Sequence, residues 1–131
     1  MDARRAWAAA ALTALLSACT VLSSELETAT ALYDDAHYEA ALRWLDQLEA
    51  ESTSMTRTQQ ALFYYLRGMT AYRLGQHQDA LHFLAVAQVA ADRDGAALRP
   101  ERRSILERTL HELTPTTATS HTRHADTVAD R

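Results

Sequence analysis

Along most of the chain, apolar side chains recur every three or four residues and polar side chains fill the opposite arc. Leu26, Ala29, Leu32 and Tyr33 form the first such series. It opens on Ser24 and Glu27, a pair with the spacing of a capping box. The spacing predicts a helix from Ser24 to about Asp35. Ala41, Leu45 and Leu48, with Leu42 beside them, predict a second from about His37 to Glu51, after a tight corner at Ala36 and His37. Ser52 to Met55 read as a loop. Thr56 and Gln59 offer another capping box, and a third helix follows to about Leu74, carrying Ala61, Tyr64, Tyr65, Gly68, Ala71 and Tyr72. Gly75 suits its C-terminal end. A fourth helix, about His77 to Ala91, carries Ala80, Leu81, Leu84, Ala87 and Val89–Ala91, and Asp92 to Gly95 break it. Pro100 and Glu101 suit the first turn of a fifth, which ends at Leu113 before Pro115. Its apolar stripe is Ile105, Leu106, Thr109, Leu110 and Leu113. No alternating β-branched pattern competes, and glycine and proline number only 3 and 2, so the fold class is all-α.

The segment Ala61–Asp92, "ALFYYLRGMTAYRLGQHQDALHFLAVAQVAAD", resembles a tetratricopeptide repeat. Tyr64 stands at its opening aromatic, Gly68 at its glycine, and Ala80, Leu84 and Ala87 at the small, large and small positions of its second helix. The usual leucine before the glycine is Arg67 here, and Asp92 stands where proline usually closes the unit. Gly68 and Ala80 are small where two helices would cross closely, and Tyr64, Phe83 and Leu84 would fill the space around the crossing. The preceding segment resembles a degenerate copy. Ala41 answers Ala80, Trp44-Leu45 answer Phe83-Leu84, and Ala29 answers Gly68. The two copies are 39 residues apart (position 41 to position 80), against 34 in the family, which implies a lengthened loop around Ser52–Met55. The resemblance implies antiparallel helical hairpins of tetratricopeptide type, about two repeats, with the fifth helix as a C-terminal cap. It also implies a concave protein-binding groove. Tyr33, Tyr65, Met69 and Arg73 are its candidates, with Leu26, Thr30 and Asp34 from the first helix. Packing on the preceding helix is the alternative for Tyr65 and Met69.

The N-terminus changes the picture of where the domain works. Arg4 and Arg5 precede an apolar run, Ala6 to Leu16, too short to span a bilayer in helix, which takes about 20 residues. Leu16-Ser17-Ala18-Cys19 then resembles the lipobox of bacterial lipoproteins. That resemblance implies cleavage before Cys19 and attachment of lipid to its thiol. A plain secretory signal, or a buried helical start, is the alternative. Thr20 rather than aspartate follows, which points to the outer membrane, facing the periplasm. The expected organisation is therefore a signal peptide at 1–18, a lipidated start and short tether at 19–23, the helical domain at 24–113, and a disordered tail at 114–131. The tail holds threonine, alanine, histidine and charge, too little apolar surface to repay ordering.

Composition narrows the chemistry. The length of 131 residues suits one domain. All 13 basic residues are arginines, interspersed with acids for a net charge of -4, so no concentrated cationic footprint for nucleic acid exists. A single cysteine excludes an internal disulfide and a multi-cysteine zinc site. No phosphate loop, His-Glu-x-x-His or serine elbow occurs. His37, Glu39 and Asp34 share a corner without making a recognisable acid–base pair. His77 and His82 are poorly spaced for one helical face, and His111, His121 and His124 read as solvated. The expectation is a non-enzymatic adaptor that takes no metal, cofactor or small-molecule substrate. It would be anchored to the envelope membrane by lipid and would hold a protein partner, as an assembly accessory of an outer-membrane or secretion complex. The alternative is a structural subunit buried in a larger envelope complex.

Overall fold

A computed structural model of the chain describes residues 20–114. The expectations for residues 1–18, for Cys19 and for the tail from Pro115 onward lie outside the described residues. Helices α1 (20–34), α2 (Tyr38–Leu48), α3 (Arg57–Arg73), α4 (His77–Arg93) and α5 (Pro100–Leu113) follow one another. They stack as interlocking antiparallel hairpins, a tetratricopeptide-like repeat arrangement closed by α5 as the cap. One continuous core runs through the stack, from Leu22 and Leu26 of α1 to Leu106 of α5.

The two hairpin corners show the internal duplication most directly. After α1, Asp35, Ala36 and His37 donate backbone hydrogen bonds to the carbonyls of Ala31, Tyr33 and Leu32. After α3, Leu74, Gly75 and Gln76 do the same to Thr70, Tyr72 and Ala71, at a constant offset of 39 residues. Both corners place their middle residue in the left-handed region, Gly75 at φ 74° and Ala36 at φ 60°. Glycine is free there, whereas alanine's Cβ crowds the backbone. Ala36→Gly is therefore expected to stabilise the protein, by up to about 1 kcal/mol. The check is the denaturation midpoint of the full chain. The gain should be absent for a glycine placed at the neighbouring Asp35.

Close approach of α3 and α4 depends on Gly68. A Cβ built there would lie 2.6 Å from Leu84 Cγ and 2.9 Å from the Leu84 backbone nitrogen. Ala80, Leu84 and Ala87 are fully buried on the facing side of α4, as the repeat pattern implies. Tyr64 is half-buried and lies nearly parallel to Phe83, ring centroids 6.3 Å apart. Arg67, in place of the usual leucine, keeps an amphipathic compromise. Its guanidinium lies 4.6 Å above the Phe83 ring and pairs with Asp46 and Glu49 at the end of α2. The stem thus packs while the charged end reaches carboxylates.

Several local expectations are corrected. The capping box at Ser24 and Glu27 does not form, because residues 20–23 are already helical. Ser24 is inside the helix and its carbonyl accepts from the Thr28 hydroxyl. Leu22 sits one turn before Leu26 and is buried with it, so burial carries the helix upstream. Residues 20–23 are consequently part of α1 and not a tether. The second capping box, Thr56 with Gln59, forms fully. The expected loop at Ser52–Met55 is mostly a 3₁₀ stretch, Glu49–Ser54, and Met55 is buried against the core. Ile105 faces outward, while Leu106 and Thr109 supply the buried side of α5.

Candidate functional site

A cleft of about 430 Å³ opens along the face shared by α1, α3 and α5. The α1 wall is a polar stripe, Ser23, Glu27, Thr30 and Asp34, repeating at helical intervals of four, three and four. Leu26 and Ala31 border that stripe, and Leu62 of α3 continues the apolar floor, with Thr58 and Gln59 at its lower end. Gln59 is positioned twice over. Its backbone and side chain close the Thr56 cap, and its side-chain nitrogen donates to Ser23 Oγ at 3.1 Å, tying α3 to the start of α1. Arg102 projects from the first turn of α5 as the opposite wall.

Beneath Arg102 lies Tyr65, whose ring centroid is 5.9 Å from the guanidinium carbon. Burial, and then the neighbouring Tyr33 hydroxyl, push the Tyr65 phenol up to about 12, with Asp34 adding to the rise and Arg102 and Arg73 opposing it. These same influences mark Tyr33, Asp34, Tyr65, Arg73 and Arg102 as one neighbourhood. The neighbouring Tyr33 hydroxyl holds the Arg73 guanidinium above its usual range.

Of the four residues expected to line a groove, the structure groups Tyr33, Tyr65 and Arg73, but it presents them differently. Arg73 is exposed and Tyr33 half-buried. Tyr65 and Met69 are only 3% and 2% exposed, and both belong to the core. This corrects the expectation that they offer open surface. Tyr65 lies under Arg102, and Met69 sits one turn along α3 in the same buried row. Thr30, Asp34 and Leu26 do line the cleft. Sequence reasoning missed Glu27, Leu62 and Arg102. Glu27 was legible as part of the α1 stripe, whereas Arg102 joins the site only because α5 folds alongside α3.

Tyr65 gives the protein an alkaline liability. Its folded-state value of about 12 stands above the ordinary value near 10. The neutral phenol is therefore favoured in the fold. Stability is fully present below about pH 10 and falls as pH rises toward 12, where the unfolded chain releases the proton first. The loss is on the order of 2 kcal/mol. Tyr65→Phe should flatten the urea midpoint between pH 10 and 11.5 relative to wild type. An unchanged slope would mean that Tyr65 ionises as readily in the fold as outside it.

Among the described residues, no three His, Cys, Asp or Glu side chains cluster so as to hold a metal ion. No described helix is long and apolar enough to cross a membrane. No protein-family model, no curated protein and no solved structure matches the chain.

Proposed function

We propose that the protein is a non-enzymatic adaptor of the bacterial cell envelope, tethered by lipid on Cys19 and holding a protein partner in the α1/α3/α5 cleft. The cleft on a tetratricopeptide-like scaffold carries the reading. Its floor is apolar, its walls are charged, and it is built from helix faces rather than from a constellation of reacting groups. The sequence Leu16-Ser17-Ala18-Cys19 supports the tether. Ser23 and Leu26 lie only about 5 and 9 Å along α1 from residue 20, which follows Cys19 directly. A lipid on Cys19 would thus hold the lower mouth of the cleft close to the bilayer surface. Two acyl chains or more give firm anchorage where one gives only marginal binding.

Intact mass of the membrane-fraction protein from its native host tests the tether. The expected species begins at Cys19, carries a diacylglyceryl group with or without a third acyl chain, and disappears in Cys19→Ser, which moves to the soluble fraction. An unmodified mass at Cys19 removes the anchor. Photo-crosslinking from position 30, inside the cleft, tests the adaptor role. A defined partner should crosslink there and not from position 79 on exposed α4. Equal yields from both positions would remove the cleft as the docking site.

A further inference from the structure

The cleft has a charge pattern as well as a shape. Glu27 and Asp34 lie seven residues apart on one face of α1, about 10 Å along the helix. Among the described residues neither is in an ion pair, and both are exposed. Between and below them run Leu26, Ala31 and Leu62, and across from them stands the guanidinium of Arg102. One wall therefore offers two unspent carboxylates, the floor offers apolar contact, and the other wall offers a cation. The spacing of the two carboxylates limits the form of the occupant, which must bring two cationic side chains about 10 Å apart onto one face. In the polyproline II form, side chains three residues apart share a face about 9 Å apart, close to the separation of the two carboxylates.

We infer that the cleft binds an extended segment of a partner protein carrying two cationic side chains three residues apart. Those side chains meet Glu27 and Asp34, and the apolar side chain between them settles on Leu26 and Leu62. Arg102 takes a carbonyl or carboxylate from the segment's other edge. This rests on the adaptor reading and names the chemistry of its partner. The carboxylates are too exposed to give affinity alone. They set the register, while the apolar floor supplies the contact area.

The test uses the protein purified from its host in mild detergent and a fluorescein-labelled octapeptide. The peptide has arginine at its third and sixth positions, leucine between them, and proline to hold the extended form. Fluorescence anisotropy should show saturable binding, weakened about tenfold by E27Q with D34N and by raised salt. A peptide with glutamate in place of both arginines should not bind. The pair E25Q with D35N removes the same charge from α1 and the turn after it, outside the cleft, and should leave affinity unchanged. No binding below millimolar peptide, binding indifferent to E27Q with D34N, or equal weakening by the outside pair would each overturn the inference. Partner crosslinking at position 30 that persists in E27Q with D34N would leave the adaptor role standing and this inference fallen.

Discussion

Gly68→Ala is expected to lower the melting temperature by roughly 10–15 °C, an effect much larger than the change of one methyl group suggests. Alanine is the better helix former by up to about 1 kcal/mol, so propensity alone predicts a gain. The structure predicts the opposite sign. The new Cβ would meet Leu84 at 2.6 Å at its side chain and 2.9 Å at its backbone nitrogen. A flexible side chain can turn away, but the backbone of α4 moves only if the whole helix shifts. Overpacking of this kind costs about 1–3 kcal/mol. With the helix backbone involved, a net loss of about 2 kcal/mol is expected after the propensity gain. In a domain of this size each kcal/mol is worth about 4–8 °C. Gly95→Ala serves as the control, because nothing lies within 4 Å of a Cβ there. A thermal melt followed by circular dichroism on the full chain makes the comparison. If Gly68→Ala melts with or above wild type, α3 and α4 are not held at the closeness described.

Phe63→Ala should cost more, about 3–5 kcal/mol, a large fraction of the 5–15 kcal/mol typical of whole domains. Phe63 is fully buried and is the largest such side chain among the described residues. It shares a face of α3 with Arg67, one turn on, which pairs with Asp46 and Glu49 and so marks that face as the one toward α2. Removing the ring opens a cavity where the two hairpins join. Tyr64→Ala, one residue away, should cost clearly less, since Tyr64 is half-buried and solvent can replace part of its contact with Phe83. Urea unfolding at matched temperature separates the two. Equal losses would show that the join between hairpins is no more demanding than the contact within one.

That ordering reverses the emphasis of the repeat pattern, which singles out Tyr64 and passes over Phe63. The pattern records positions that pack within one hairpin. Phe63 shares the α3 face of Arg67, which turns toward α2, and the surface met there depends on which copy stands beside it. Met55, Ala97 and Leu98 were missed for a related reason. Each lies in a connection, surrounded in sequence by polar or small residues, and each is buried only because the neighbouring helices cover it. In the cleft, the α1 stripe of Ser23, Glu27, Thr30 and Asp34 could be read from spacing alone. The burial of Tyr65 and Met69 could not, since an aromatic at helical spacing suits a core as well as a groove.

The sequence by itself determined the helices, the two duplicated hairpin corners 39 residues apart, the cap at Thr56 and Gln59, and the start of α5 at Pro100. These rest on interactions within a few residues, which local spacing encodes. Tertiary structure alone decided that α1 reaches back to residue 20, because the burial of Leu22 beside Leu26 needs the rest of the core in place. It also decided that Arg67 can replace a leucine, since Phe83 comes from α4, Asp46 from α2 and Glu49 from the 3₁₀ stretch that follows it. And it decided the site: Glu27 and Arg102 are 75 positions apart (27 to 102) and face one cleft only when α1 and α5 flank α3. Helical periodicity tells which face of each helix is buried, but the choice of which helices share a groove belongs to the packing of the whole.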